Sequence, residues 1–81
     1  MSNRARAEAA LATMVEVVAA EVFAAGAQGM RNDEIARALG LETSVNGGQR
    51  NHLTHALLNR LVGQGRLKRE KRGSRVYYSQ N

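Results

Sequence analysis

The chain has no cysteine, so neither a disulfide nor a thiolate metal site is available to it. It has no tryptophan, and its only rings besides the histidines are two tyrosines and one phenylalanine. Of these, Tyr77 alone is placed to stack a base, too little for a single-strand platform. No uninterrupted apolar run approaches the ~18 residues of a membrane span. No apolar stretch follows the basic residues Arg4 and Arg6, as it would in a signal peptide. The second half of the chain almost lacks acid. Residues 46–81 carry eight Lys or Arg against one acid, Glu70, whereas residues 1–45 carry four against six. The net charge of +5 is therefore −2 followed by +7. Six of the twelve basic residues fall between Arg66 and Arg75. A cluster of that density is suited to gripping a polyanion, and nucleic acid is the foremost one.

A chain of 81 residues makes one domain, 1–81. Such a chain buries only about 60% of its unfolded surface, enough for a few helices and a hairpin but not for a roomy enzyme pocket. Its 43% apolar content argues against disorder. Catalysis finds no support: there is no nucleophile with a base and an orienting acid, no glycine-rich phosphate loop and no carboxylate cluster. No enzyme, cofactor, metal, membrane contact or small-molecule ligand is expected. The absence of cysteine suits a reducing cytoplasm.

Arg4 to Ala25 is Ala-rich and free of Pro and Gly, and Leu11, Val15, Val18 and Val22 recur at helical spacing. This predicts a first helix over 4–25, capped by Ser2 or Asn3 and ended by Gly26. Its Ala-rich back, with Ala5, Ala9, Ala12, Ala19 and Ala20, would let a second copy approach to form a homodimer. Asn32, followed by Asp33 and Glu34, reads as the cap of a second helix over 32–39, with Ile35, Ala36 and Leu39 inward. Glu42 to Gly48 is rich in turn formers. A third helix over 49–62 turns Thr54, Leu57, Leu58 and Leu61 inward and Gln49, His52, His55, Ala56 and Asn59 outward. The final segment, 66–79, reads as a hairpin with Lys71–Ser74 as its turn. That register pairs Glu70 with Arg75 and puts Leu67, Val76 and Tyr78 on one face.

The stretch RNDEIARALGLE followed by RNHLTHALLNRLVGQGRLKREKRGSRVYYSQ resembles a winged helix-turn-helix domain. The second helix matches the family's x-x-E-I-A-x-x-L-G-L pattern. Leu58, Leu61, Gly65, Leu67 and Arg69 match the L-x-x-L-x-x-x-G-x-L-x-R pattern at the end of the recognition helix. Lys71, Arg72 and Gly73 match a basic wing tip. The resemblance covers about residues 5–79. It implies a mainly α fold with a small β-hairpin (α+β), three helices and a wing. It also implies double-stranded DNA as the partner, with the third helix in the major groove. One departure stands out: between Leu41 and Leu53 the chain is longer than a tight helix-turn-helix allows.

The expected DNA-binding set follows. Gln49, Asn51, His52, His55 and Asn59 would face base edges, which need side chains that donate and accept together, and Arg50 would reach guanine or phosphate. Asn46 and the amides of Gly47 and Gly48 would touch the backbone from the loop. Lys68, Arg69, Lys71, Arg72, Ser74 and Arg75 would hold phosphates or the minor groove. The family's roles imply a small transcriptional regulator. The alternatives are the DNA-reading module of a restriction or modification protein and an RNA- or ribosome-associated basic protein.

Overall fold

The computed structural model describes residues 2–45, 48–49 and 51–81. The chain runs α1 (Asn3–Ala25), a 3-10 turn (Gly26–Gln28), α2 (Asn32–Leu39), β1 (Ser44–Val45), β2 (Gly48–Gln49), α3 (His52–Gly63), β3 (Leu67–Arg72) and β4 (Arg75–Gln80). It is mainly helical with a small antiparallel hairpin, an α+β, winged-helix-like layout.

α1 begins where the Ser2 hydroxyl accepts the Ala5 amide at 3.1 Å, the bond an N-cap makes to an orphan donor. Val15, Val18, Ala19 and Val22 form its buried side. Leu11, expected in that stripe, is instead 37% exposed. At its level α3 offers the polar Arg60 and Gln64 rather than leucine, and an open groove separates them. The helix is long: 23 residues span about 35 Å. The radius of gyration is correspondingly 13.2 Å, against about 12 Å for a compact chain of this length. The segment Asn3–Gln28 also contains an 18-residue window of mean hydropathy 1.7, long and apolar enough to cross a membrane by length and composition alone. Counting uninterrupted runs overlooks it, because Glu16 and Glu21 interrupt the sequence. One side of this segment closes the protein core.

α2 is capped by Arg31 rather than by Asn32, whose backbone is already helical. The Arg31 amide donates to the Glu34 carboxylate at 2.8 Å. The Asn32 side chain is committed elsewhere, donating to the Asn51 carbonyl at 3.2 Å. Gly40 ends the helix in the left-handed region, φ 68°, and the Leu41 amide turns back to the Ala36 carbonyl at 2.8 Å.

The connection to α3 is not a bare loop. β1 and β2 pair Ser44 with Gln49 and Val45 with Gly48. α3 therefore starts at His52, three residues later than the sequence pattern suggests. Gln49 is held in the ladder. Asn51, in a non-helical conformation, accepts the Thr43 amide on its side-chain oxygen at 3.1 Å. From His52 on, the helical phase is as expected. Thr54, Leu57, Leu58 and Leu61 are buried with Ile35, Leu67 and Tyr78, while His52, His55, Ala56 and Asn59 are exposed.

β3 and β4 pair Leu67 with Gln80 through to Arg72 with Arg75. The turn is the two-residue loop Gly73-Ser74, not the four-residue Lys71–Ser74. Gly73, at φ 65°, supplies the positive angle that short hairpin loops demand. The register is thus two residues away from the expected one. A slip of two keeps every side chain on its own face, so Leu67 and Tyr78 still share the buried side. It does remove the expected Glu70–Arg75 pair: Glu70 stands opposite Tyr77. β4 has a second neighbour. Met30 and Tyr78 exchange backbone hydrogen bonds of 2.9 and 2.8 Å. Gly29 makes that approach possible, since a Cβ there would lie 2.7 Å from the Tyr78 carbonyl oxygen.

The phase of α3 gives a direct expectation. Leu61→Ala should cost about 2–5 kcal/mol in a urea melt, by lost burial and the cavity left behind. Asn59→Ala, two residues away on the outer face, should change stability by no more than about 0.5 kcal/mol. Equal midpoints for the two variants would mean that the two faces are exchanged.

Candidate nucleic-acid interface

His52, His55 and Asn59 stand exposed on the outer face of α3. Arg60, which the sequence reading left out, is exposed on the flank of the same face. Its position, one residue beyond Asn59 and 80° from His52 at 100° per residue, was the signal that could have found it. Gln49 lies on β2, outside the helix, and Asn46 and Arg50 lie outside the described residues. Asn51 is a correction. It is 8% exposed and sits at the base of the helix, not on its outer face. Its carbonyl accepts from Asn32 Nδ2, from the Thr54 hydroxyl at 3.1 Å and from the His55 amide at 3.1 Å.

The hairpin follows α3 after Gln64, Gly65 and Arg66. Lys68, Arg69, Lys71, Ser74 and Arg75 are all exposed. Arg69 and Lys71 share the face of Leu67, opposite Tyr78 and Val76, and Lys68 and Arg75 lie on the other face. Among the described residues none of these four cations forms an ion pair. Two others in the cluster are engaged. The Arg66 guanidinium meets the Glu16 carboxylate with two bonds, 2.5 and 2.9 Å, fastening the base of the hairpin to α1. Arg72 contacts Glu70 at 3.3 Å, donates to the Gln28 carbonyl at 2.7 Å and lies 4.6 Å from the centre of the Tyr77 ring.

These pairs account for the resolved changes in acidity. The hydrogen bond from Arg66 holds the Glu16 carboxyl below its ordinary value and raises Arg66 in turn. The bond from Arg72 likewise lowers Glu70. Three of the six acids of the first half meet partners close to home: Glu8 pairs with Arg4, and Asp33 and Glu34 with Arg31. Of those described pairs only Glu16 reaches across to the basic half. His52 and His55 are three residues apart, yet among the described residues no three His, Cys, Asp or Glu side chains gather as metal ligands do.

Chemically, the two surfaces differ. The outer face of α3 offers an amide and two imidazoles, groups able to donate and accept against a base edge. The hairpin offers uncompensated charge suited to phosphates. Comparison with protein-family models, with curated proteins and with solved structures returned no match.

The Glu16–Arg66 tie predicts a pH dependence. A carboxyl held below its unfolded value adds stability that is complete above that value, and the stability is lost as pH falls through the folded one. Wild type should therefore melt above Glu16→Gln at neutral pH, and the gap should close as pH drops below the ordinary 4.5. A gap that stays constant down to pH 2 would show that the ionised carboxylate is not what the pair contributes to folding.

Proposed function

We propose that this chain is a winged-helix protein that binds double-stranded DNA and serves as a small transcriptional regulator. The outer face of α3 enters the major groove, and the basic hairpin rests on the adjoining backbone or minor groove. One observation carries the reading. Lys68, Arg69, Lys71 and Arg75 project from one hairpin without an ion pair among the described residues, directly after a helix whose outer face is polar. Four cations with only Glu70 among them, itself bonded to Arg72, leave an excess of positive charge on the hairpin, and a polyanion is the partner that excess favours. Phosphate contacts supply most of the affinity in this arrangement, and His52, His55 and Asn59 supply selectivity.

The same reading includes a second copy of the chain on α1. Leu11 and Val17 are 37% and 46% exposed, and two grooves flank them, sharing Ala12 and Glu16. Large apolar side chains exposed together on a helix are ordinarily covered by a partner. α1 carries Arg4 and Arg6 against Glu8, Glu16 and Glu21, a net charge of −1, so it has no attraction for nucleic acid and little self-repulsion. Two-fold pairing here would leave both hairpins free for two half-sites. Sedimentation equilibrium should give a dimer for wild type and a monomer for Leu11→Glu with Val17→Glu. A wild-type monomer at tens of micromolar would remove the dimer from the reading.

Selection from a random duplex library, with methylated duplexes included and structured RNA as competitor at equal salt, tests the main reading. Lys71→Ala should weaken all duplexes alike and flatten log affinity against log salt by up to about 0.9 for a lost phosphate contact. His52→Ala or Asn59→Ala should spare random duplex and lose roughly 1–3 kcal/mol on the selected site. Tighter binding to the RNA would overturn the duplex reading, and equal losses on selected and random DNA would take sequence reading away from α3.

A further inference from the structure

The hairpin register sets two like charges against each other. Arg72 and Arg75 are directly opposite at the turn, where like charges repel. Arg72 escapes by turning to three other partners. Its Nη1 donates to the Gln28 carbonyl at 2.7 Å, its Nη2 meets the Glu70 carboxylate at 3.3 Å, and its guanidinium carbon lies 4.6 Å from the centre of the Tyr77 ring. Gln28 belongs to the 3-10 turn between α1 and α2, 44 residues away in the chain. The side chain therefore crosses from the wing to the helical body. A planar guanidinium can donate to a carbonyl, pair with a carboxylate and stack on a ring at once, whereas an ammonium acts as a point charge and cannot match all three.

The hairpin is then held at its base, where Arg66 meets Glu16, and at two points further along. Near the end of β4, Tyr78 and Met30 exchange backbone bonds, with Gly29 allowing the close approach. Toward the tip, Arg72 holds the Gln28 carbonyl. A ribbon fastened only toward its base leaves its tip free to swing; fastened toward the tip as well, it has a fixed angle. We propose that Arg72 is a positioning residue, a strut that fixes the wing tip against the 3-10 turn so that Lys68, Arg69, Lys71 and Arg75 are presented together, and that it makes no phosphate contact of its own. The strut follows from the free protein alone. Its consequence for binding rests on the duplex reading above.

Hydrogen exchange on the free protein and salt-dependent duplex binding, run on Arg72→Ala, Arg72→Lys and Lys71→Ala, separate the two. In Arg72→Ala and Arg72→Lys the hydrogen-bonded amides of Lys71–Val76 should exchange about tenfold faster, the factor that about 1.4 kcal/mol of lost local stability gives. The amides of α3 should keep their rates, which shows that the fold is intact. Lys71→Ala should leave hairpin exchange unchanged while lowering the salt slope by about 0.9. Both Arg72 variants should weaken duplex binding to a similar extent, although Arg72→Lys keeps the charge. Wild-type affinity and slope for Arg72→Lys, with a slope loss of about 0.9 for Arg72→Ala, would overturn the strut and make Arg72 a phosphate contact. Unchanged hairpin exchange in Arg72→Ala would overturn it as well. Faster exchange in both variants of a protein that ignores duplex DNA would uphold the strut and overturn the duplex reading instead.

Discussion

The rotation of α3 about its own axis governs everything outward of the core. Thr54, Leu57, Leu58 and Leu61 fix it, all of them at most 2% exposed. Turning the helix by one residue would pull leucines into water and push His55 or Asn59 into the space between α1 and α2. Each buried leucine contributes about 1.5–3 kcal/mol relative to exposure, so the alternative phases are far out of reach. The exit from the helix depends on the same phase. The Arg66 amide returns to the Leu61 carbonyl at 3.0 Å, and the next residue, Leu67, enters the core as the first of β3. Asn81 then closes the other strand onto the same place, its amide bonded to the Arg66 carbonyl at 3.2 Å and its side chain to the Gly65 carbonyl at 2.9 Å. The hairpin thus inherits its origin from the helix it follows.

Charge works differently from burial here. The hydrophobic contacts tie the first half of the chain to the second, whereas most ion pairs stay local. Arg4–Glu8 and the Arg31 pairs lie within four residues and are exposed or half-exposed, the class of contact worth least to stability. Glu16–Arg66 is the long-range case, with both terminal guanidinium nitrogens engaged, and it joins α1 to the hairpin's base. Acids are used where they anchor structure, and a single one, Glu70, which is bonded to Arg72, stands among the wing cations. Those cations tolerate one another in the free protein because water surrounds them and screens the repulsion.

Much of this was legible in the sequence, because helical periodicity and charge are properties of single residues at fixed spacing. The inward sets of α1, α2 and α3 follow from it, apart from Leu11, whose exposure depends on what α3 offers opposite, and Ala19, expected on the outer back of α1 but buried in the core. The hairpin's existence and the sidedness of Leu67 and Tyr78 were legible too, since both survive a register error of two. The register itself was not, because a two-residue and a four-residue turn both fit the sequence around Gly73. What the sequence made legible at the candidate site is exposure, as with His52, His55, Asn59 and Lys71, whose side chains point outward. The site was illegible where a polar residue is engaged internally. Asn51 and Arg72 look like Asn59 and Lys71 in sequence; only the third dimension shows that a carbonyl, an amide or a ring already occupies them.

The long link between α2 and α3 raises the question of what fixes the angle between those helices, since a tight turn does not. Asn51 answers it. Its side-chain oxygen takes the Thr43 amide from the beginning of the link, and its carbonyl takes the Asn32 side chain from the first turn of α2. The same carbonyl takes the Thr54 hydroxyl and the His55 amide from α3 itself. One residue is therefore bonded to both helices and to the segment that leaves α2. The arrangement carries a cost: the Asn32 Oδ1 atom is buried without a hydrogen-bond partner among the described residues. A buried acceptor left unpaired costs on the order of 1–3 kcal/mol, so the amide is worth keeping there only if its other end does more than an apolar side chain would. What it does is directional. An apolar residue at Asn32 would fill the space but leave the start of α3 free to slide, whereas a bond to a backbone carbonyl fixes one particular residue as the helix cap. With that cap fixed, β1 and β2 can occupy the link without moving α3, because the link's two ends meet at Asn51 whatever lies between them.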